Sequence, residues 1–240
     1  LLDGRGDYVI GGEQERALLD LVRAIERGDG GLPDGVSNRD YRAAPAIERI
    51  AFATPVRDAL PSPDKYARLL LNGQAIPAGY TETTRGCHPT CRHCPVVPIY
   101  GGRFFAVPRN VVLDDIRSQV QQGAGHITFG DPDFLNGPTH ALRVCRAMHE
   151  EFPHVTFDMT TRIEHILQHR DLMSEFGALG CLFVISAVES VSELVLEKID
   201  KGHTKADVIE ALAILDDAGI AMRPSLLPFT PWTTLDDYLE

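Results

Sequence analysis

Short apolar runs alternate with longer amphipathic stretches from residue 79 to the end of the chain. The short runs predict β-strands, and the longer stretches, with apolar residues on one helical face, predict helices. Five strands are predicted, at residues 80–84, 126–130, 155–160, 181–188 and 221–229. Four helices are predicted between them. The inward positions of the first are Val112, Leu113, Ile116 and Val120, and those of the second are Ala141, Cys145, Met148 and Phe152. The third covers residues 164–176, and the fourth begins with a capping box of Thr204 and Asp207 and ends near Gly219.

This strand–helix alternation predicts a parallel sheet. Right-handed crossovers between successive parallel strands would curl the sheet toward a barrel. Residues 181–188 are nearly all apolar, as expected of a strand that is buried on both faces. In such architectures the active site lies on the loops that follow the carboxyl ends of the strands. The loop after the first strand is therefore expected on the active-site face.

The first 78 residues show a weaker pattern. Residues 7–11 predict a short buried strand and a turn, and Leu18, Leu21, Val22 and Ile25 predict the inward face of a helix that ends at Gly28. Residues 29–78 are rich in Gly, Pro, Asp and Arg without steady periodicity, which predicts a linker. Because the chain starts without methionine and stops where a helix is predicted to begin, we expect it to be part of a longer polypeptide.

Composition excludes some classes of protein. The 240 residues suffice for one large α/β domain, or for a domain and a fragment of another. There are 34 acidic and 23 basic residues, a formal net charge of −11, which argues against a nucleic-acid partner. No apolar run approaches the roughly 18 residues of a membrane span, and no signal peptide is visible, so we expect a cytoplasmic protein with no membrane partner.

Three of the five cysteines crowd into one loop, where Cys87, Cys91 and Cys94 have the spacing C-x3-C-x2-C. Three thiolates could hold a cubane iron–sulfur cluster and leave one iron open to a substrate. They could also bind zinc together with His88 or His93, because Cys3His zinc sites are common. An iron–sulfur electron-transfer protein would require a fourth cysteine near the loop, and the sequence has none there. The two other cysteines, at positions 145 and 181, are interpreted as core residues without chemistry.

The residues around this loop resemble a known superfamily. Residues 80–87, Cys94-Pro95 and Gly102-Arg103-Phe104-Phe105 are similar to the radical S-adenosylmethionine (SAM) enzymes, and most similar to the class that often carries an N-terminal cobalamin-binding domain. The resemblance covers about residues 7–27 and 79–240. It implies an α/β fold with a partial (β/α)6 TIM-like barrel at 79–240, incomplete at the C-terminus. It also implies the end of a Rossmann-like, cobalamin-binding-type domain at 1–28, with the linker at 29–78.

The resemblance assigns cofactors to particular residues. It implies that Cys87, Cys91 and Cys94 ligate a [4Fe–4S] cluster whose fourth iron is chelated by the methionine moiety of SAM. His93 occupies the position that lies against the adenine in the family, although an exposed loop histidine is the alternative. Cobalamin is possible from the class, but no cobalamin-ligating histidine motif is present.

Two further segments match the SAM site of the family. Gly130 and Asp131 stand where a Gly-Gly-Glu type motif receives the SAM amino group; an ordinary strand-end turn is the alternative. Ser186 and Glu189 match a fourth-strand segment that ends in Glu-Ser. An unpaired charge at the end of an apolar strand is costly. We therefore expect Glu189 to bind SAM or an internal basic partner such as Arg162 or Arg223, and a purely structural salt bridge remains open.

Other matches carry less chemistry. Residues 201–204, Lys-Gly-His-Thr, match the family and are interpreted as a fold signal. Residues 225–229 lack a glycine that the family often has, which leaves adenine contacts there in doubt. Residues 130–137 and 224–234 are similar to the radical SAM group whose members end in a Cys/selenocysteine-Cys-Ala-Glu-Pro tail, and through it to organoarsenical biosynthesis.

The function implied is reductive cleavage of SAM to a carbon radical that acts on a small-molecule substrate, with flavodoxin or ferredoxin as reductant. One version is 3-amino-3-carboxypropyl transfer to trivalent arsenic. The alternatives are hydrogen abstraction by a 5′-deoxyadenosyl radical, cobalamin-dependent methyl transfer, and a Cys3His zinc-binding module without enzymatic activity.

Overall fold

A six-stranded sheet forms the centre of the molecule, for which a computed structural model describes residues 6–239. The strands are β1 Val9–Ile10, β2 Val36–Ser37, β3 Arg68–Leu71, β4 Gln74–Thr81, β5 Thr84–Gly86, β6 Phe104–Ala106, β7 His126–Phe129, β8 Thr156–Thr160, β9 Cys181–Glu189 and β10 Ala221–Leu226. The helices are α1 Gln14–Arg27, α2 Val97–Tyr100, α3 Arg109–Gln121, α4 Pro138–Glu151, α5 Ile163–Gln168, α6 Arg170–Ala178, α7 Glu193–Ile199, α8 Lys205–Asp217 and α9 Leu235–Leu239. Residues 1–5, which belong to the predicted remnant of an N-terminal domain, and Glu240 lie outside the described residues.

The order of strands in the central sheet is β10-β9-β8-β7-β4-β3. Five of its strands, β4, β7, β8, β9 and β10, run parallel, and β3 pairs antiparallel with the outer edge of β4. Helices connect the successive parallel strands, as the right-handed crossover rule requires. The predicted α/β class and the partial TIM-like barrel are confirmed, with a sheet that curls into a half-barrel.

The two faces of this sheet differ in polarity. On the helix-covered face, the Phe157 ring lies 5.5 Å from Phe129 and 6.5 Å from Phe176 of α6, inside the main core. Because strand side chains alternate, the neighbouring positions point into the half-barrel. There His126 Nε2 lies 2.8 Å from the Asp158 carboxylate, which also accepts a 2.7 Å hydrogen bond from Thr128. The core is therefore built on one face, and the interior of the half-barrel is polar.

The predicted first strand, residues 80–84, is wrong in its position. The strand of the main sheet is β4, Gln74–Thr81, and β5 is a separate short strand that pairs with β6. Pro77 and Gly79 weaken the sequence signal of β4, since both residues are disfavoured within strands. A Cβ on Gly79 would lie 2.6 Å from Gln119 Oε1 of α3, so a larger residue there would displace the Gln119 side chain.

The other elements agree with the prediction apart from local differences. The predicted helix 164–176 is two helices, α5 and α6, that meet at His169. Helix α7 was not predicted. The capping box is confirmed: Thr204 Oγ1 accepts from the Asp207 amide at 3.2 Å, and the Asp207 carboxylate accepts from the Thr204 amide at 2.8 Å. Gly219, with φ of +70°, follows this helix.

Helix α1 ends at Gly28 as predicted, but of the four predicted inward positions only Leu21 is buried. Ala17, Leu21 and Ala24 are the buried positions. Residues Leu18, Val22 and Ile25 are 43–54% exposed to solvent. The reason is that α1 packs its narrow, alanine-containing side on the small β1–β2 pair through Val36. This difference could not be read from apolar spacing alone.

The predicted linker, residues 29–78, contains regular structure: β2, β3 and the first half of β4. Arg57 attaches this segment to α3. Its Nε donates to Asp115 Oδ1 at 2.5 Å, and its Nη2 donates to Asp115 Oδ2 at 2.8 Å and to the Tyr80 carbonyl at 2.9 Å. The division into domains stays a prediction. In residues 6–239 no helix has both the length and the apolar character needed to span a membrane.

We expect Arg57→Ala to destabilise the fold. The substitution leaves the Asp115 carboxylate, 2% exposed, without its cation, and breaking a buried pair typically costs about 3 kcal/mol or more of unfolding free energy. Urea unfolding measures the loss. The matched control is Arg146→Ala, which removes a more exposed pair with Glu175 and should cost under about 1 kcal/mol. Equal losses in the two variants would contradict this prediction.

Candidate active site

The cysteine loop, residues 87–94, follows β5 and lies at the carboxyl end of the parallel sheet. The β5–β6 pair frames the loop, with Arg85 opposite Phe105. A turn within the loop is closed by the amide of Cys94, which donates to the carbonyl of Cys91 at 3.2 Å. The loop therefore starts from a fixed strand and lies on the face where barrel active sites are found.

The three cysteines are partly buried. Burial raises the pKa of Cys87 to about 12, and the charges of Asp133, Cys94 and Cys91 add to the rise, whereas Arg162 opposes it. Across residues 6–239, no three His, Cys, Asp or Glu side chains are drawn together as closely as ligands around a bound metal ion.

Asp131 follows β7 and is almost fully buried. Its carboxylate accepts three hydrogen bonds, from the Thr83 amide at 2.9 Å, the Thr83 hydroxyl at 2.7 Å and the Thr84 hydroxyl at 2.6 Å. Burial raises the pKa of Asp131 in spite of these bonds. The carboxylate thus holds the strand that enters the cysteine loop, and its contact with SAM stays a prediction.

Gly130 is fixed by Tyr80. The Tyr80 hydroxyl donates to the Gly130 carbonyl at 3.3 Å, and a Cβ on Gly130 would overlap the Tyr80 ring. Ser186 lies elsewhere: its hydroxyl is fully buried and finds no hydrogen-bond partner in the described part of the chain. It shares the helix-facing side of β9 with Val184 and Val188, both of the main core. The predicted roles of Gly130 and Ser186 at SAM stay predictions.

Glu189 and His93 are brought together. The Glu189 carboxylate accepts from Lys201 Nζ at 3.1 Å and lies 3.3 Å from His93 Nε2 of the cysteine loop. Glu189 and Lys201 are both buried, and Glu189 has a φ of +66°, a conformation that non-glycine residues adopt at a cost. The prediction that Arg162 or Arg223 is the internal partner of Glu189 is wrong, because the buried cation that pairs with Glu189 is Lys201.

Sequence reasoning missed the role of Arg162. Its Nη1 donates to Cys91 Sγ at 3.0 Å, and its Nη2 donates to the Lys201 carbonyl at 2.7 Å. Arg162 lies two residues after β8, and a charge at the end of a buried strand was the signal that singled out Glu189. The same signal could have singled out Arg162.

The contacts of Asp133 were not predicted from the sequence. Asp133 is fully buried, accepts from the Thr161 hydroxyl at 2.8 Å, and lies 2.8 Å from His165 Nδ1. Among the neighbouring charges that raise the pKa of Cys87, that of Asp133 contributes most. Arg162, which donates to Cys91, opposes this rise.

Comparison with known families agrees with this geometry. Residues 81–239 match the family described as the Radical SAM superfamily, and the chain belongs to it. Members of this superfamily of enzymes use a [4Fe–4S] cluster and SAM, and the match includes the loop with Cys87, Cys91 and Cys94.

Individual relatives are more distant. Hopanoid C-3 methylase of Methylococcus capsulatus is 23% identical over 96% of this chain and 44% of its own length. The radical SAM methyltransferase TsrM from Kitasatospora setae superposes with a TM-score of 0.75 at 20% identity, over 96% of this chain and 47% of that one. The cobalamin-dependent SAM radical enzyme OxsB superposes with a TM-score of 0.76 at 20% identity. The superposition covers 97% of this chain and 35% of OxsB. These structures show the fold, and this chain spans less than half the length of each relative.

We expect Glu164, which pairs with Arg162, to make stability depend on pH. Burial opposes ionisation, but the nearby His203 ring and the hydrogen bonds from Arg162 outweigh it and lower the pKa of Glu164 from 4.5 to about 2. A carboxyl with a lowered pKa stabilises the fold above its unfolded pKa, and this contribution is lost as pH falls toward the folded value. Glu164→Gln should therefore lose stability relative to wild type at neutral pH, with the difference shrinking below about pH 4.5.

Urea unfolding of both proteins from about pH 6 to about pH 3 tests this expectation. The matched control is Glu210→Gln, which removes an exposed pair with Arg170 and should change stability little, because surface pairs contribute little. If the difference in unfolding free energy between Glu164→Gln and wild type stays constant down to the lowest pH, the lowered pKa of Glu164 is contradicted.

Proposed function

We propose that this chain forms the catalytic half-barrel of a radical SAM enzyme that reductively cleaves SAM and delivers a carbon radical to a small-molecule substrate. The observation that carries the proposal is the position of Cys87, Cys91 and Cys94. They lie on one loop at the carboxyl end of a parallel half-barrel, where Arg162 donates to Cys91 Sγ at 3.0 Å. Family membership supplies the cofactors, and the donor set of the loop is consistent with them.

Family membership favours a three-thiolate cluster over zinc in this loop. A Cys3His zinc site would need His88 or His93 as its fourth ligand. His88 Nδ1 lies 3.1 Å from the Gly102 carbonyl, and His93 Nε2 lies 3.3 Å from Glu189. Each of these contacts occupies one ring nitrogen and leaves the other available to a metal, so they do not separate the two ligand sets. Family membership is what favours a cluster on the three cysteines. Three thiolates leave an open iron position, which is the position that SAM requires.

The protein's own residues would position and shield the reactants. When bound, the cluster supplies the electron that breaks a C–S bond of SAM. Cys87, Cys91 and Cys94 would hold it, and Asp131 would fix the strand that carries the loop. Glu189 is a candidate carboxylate for binding SAM, because it lies 3.3 Å from His93 Nε2 of the cysteine loop, with Lys201 Nζ 3.1 Å from the same carboxylate.

The interior of the half-barrel is the proposed substrate side. Arg223 lies on this face with its guanidinium 3.5 Å from the centroid of the Phe183 ring, and Tyr80, 49% exposed, lines the opposite part. Polar groups between them include the carboxylate of Asp158 and the hydroxyl of Thr128. Such a lining is suited to a small molecule that bears hydrogen-bonding groups. A reductant such as flavodoxin or ferredoxin would supply the electron, and the cytoplasm is the proposed location.

Cobalamin-dependent methyl transfer is a second candidate. It is favoured by the fold, because TsrM and OxsB superpose over nearly the whole chain, including the N-terminal segment before the barrel. Transfer of a 3-amino-3-carboxypropyl group to trivalent arsenic is a further proposal, and it rests on the resemblance of residues 130–137 and 224–234 alone.

We expect the anaerobically purified full-length protein to be brown and to contain about four irons and four sulfides per chain. Cys91→Ala should abolish the cluster, because it removes one of only three thiolate ligands. Cys145→Ala should retain it, since Cys145 is fully buried in the core. Iron and sulfide analysis decides the matter: a colourless protein with one tightly bound zinc per chain would establish the zinc alternative instead.

We expect the reduced full-length enzyme to convert SAM to 5′-deoxyadenosine at a rate that arsenite does not change, because the superfamily is dominated by this cleavage. Nucleosides would be measured by mass spectrometry with and without arsenite, and with and without cobalamin. 5′-Methylthioadenosine that grows with arsenite would support aminocarboxypropyl transfer to arsenic. S-adenosylhomocysteine that depends on cobalamin would support methyl transfer.

A further inference from the structure

Arg162 makes a contact with a proposed cluster ligand that no family motif in the sequence analysis explains. Its Nη1 donates to Cys91 Sγ at 3.0 Å, well within the range of a hydrogen bond to sulfur. The Arg162 side chain is only 15% exposed. The guanidinium therefore meets the sulfur in a partly desolvated environment, where electrostatic interactions are stronger than in water.

Three acceptors fix the Arg162 guanidinium. Its Nε donates to Glu164 Oε2 at 3.1 Å, and its Nη2 donates to both Glu164 Oε1 and the Lys201 carbonyl. The two bonds to Glu164 form the bidentate arrangement in which arginine differs most from lysine. With Nε and Nη2 occupied in this way, Nη1 is the nitrogen directed at Cys91.

The segment 201–203 supports this arrangement. His203 Nδ1 lies 3.7 Å from Glu164 Oε2, and its other nitrogen lies 3.2 Å from the Val188 carbonyl of β9. Gly202 has a φ of +84°, and a Cβ there would overlap Glu164 Oε1. Lys201, the first residue of the segment, contributes its carbonyl to Arg162 and its ammonium to Glu189. The segment interpreted as a fold signal thus holds both charged groups beside the cysteine loop.

A donor at a ligating sulfur affects the redox chemistry of a cluster. Hydrogen bonds to the sulfurs and nearby charge are among the factors that set the reduction potential of iron–sulfur clusters. Reduction adds negative charge, so a fixed cation and a hydrogen bond at one thiolate stabilise the reduced form more than the oxidised form. Loss of this donor would lower the potential and make the one-electron reduction harder.

We propose that Arg162 is a positioning residue that donates a hydrogen bond to the Cys91 thiolate and raises the reduction potential of the cluster. The segment 201–203 holds it in place through Glu164. This inference rests on the proposed function, because it requires a cluster on the three cysteines. It makes Arg162 part of the electronic environment of the cluster and gives the Lys-Gly-His segment a role beyond the fold.

The test is an anaerobic potentiometric titration of the cluster-loaded full-length protein without SAM, followed by electron paramagnetic resonance of the reduced cluster. Arg162→Gln removes the charge and should lower the ratio of reduced to oxidised cluster about tenfold at a fixed solution potential, equivalent to about 59 mV for one electron. Arg162→Lys keeps the charge but loses the planar guanidinium group. Its cluster should therefore have a reduction potential between those of Arg162→Gln and wild type. Gly202→Ala, which displaces Glu164, should shift the potential in the same direction.

The matched control is Arg170→Gln, which removes a 54% exposed arginine paired with Glu210 on the surface and should leave the potential unchanged. Variants of Arg162 that load iron normally but keep the wild-type potential would overturn the proposal. So would variants that keep the potential and bind SAM more weakly, because Arg162 would then be a SAM ligand. Folded Arg162 variants that load no cluster would assign the residue to cluster assembly instead. A wild-type protein without a cluster would defeat the proposed function itself, which is a different result.

Discussion

The placement of the cysteine loop depends on the buried carboxylate of Asp131. It accepts hydrogen bonds from the backbone and hydroxyl of Thr83 and from the hydroxyl of Thr84, at distances of 2.6–2.9 Å. A buried carboxylate is costly unless its oxygens are satisfied, and here the segment that enters the loop satisfies them. The end of β7 and the start of β5 therefore cannot separate without exposing or stranding a charge. This constraint fixes the loop relative to the parallel sheet.

Charge pairing supports the rest of the site in the same way. Glu189 with Lys201, and Arg162 with Glu164, place four ionisable groups at the carboxyl ends of neighbouring strands. Removing one partner of a buried pair leaves an uncompensated charge, so each pair constrains both of its members. The two pairs meet at Lys201, whose ammonium serves Glu189 and whose carbonyl serves Arg162. One short connection between α7 and α8 thus supports both Glu189 and Arg162 beside the cysteine loop.

The sequence predicted the parallel sheet and the long helices, because their apolar periodicity is strong and local. It missed the first half of β4, where Pro77 and Gly79 interrupt the pattern although a neighbouring strand and α3 stabilise it. It also misplaced the inward face of α1, since apolar spacing does not reveal which side has a partner. The partner of Glu189 was missed for a related reason: spacing along the chain does not show that Lys201, 12 residues away, returns to the end of β9.

The faces of the strands decide which matched residues can take part in chemistry. Consecutive residues of a strand point to opposite faces, so a motif match that is correct in register can still lie on the helix side. Ser186 does so, buried beside Val184 and Val188, whereas Phe183 faces the interior beneath the guanidinium of Arg223. The apolar core is complete on the helix side, as the packing of Phe129, Phe157 and Phe176 indicates. The interior can consequently keep polar groups such as His126 and Asp158, because it is not required to supply the core.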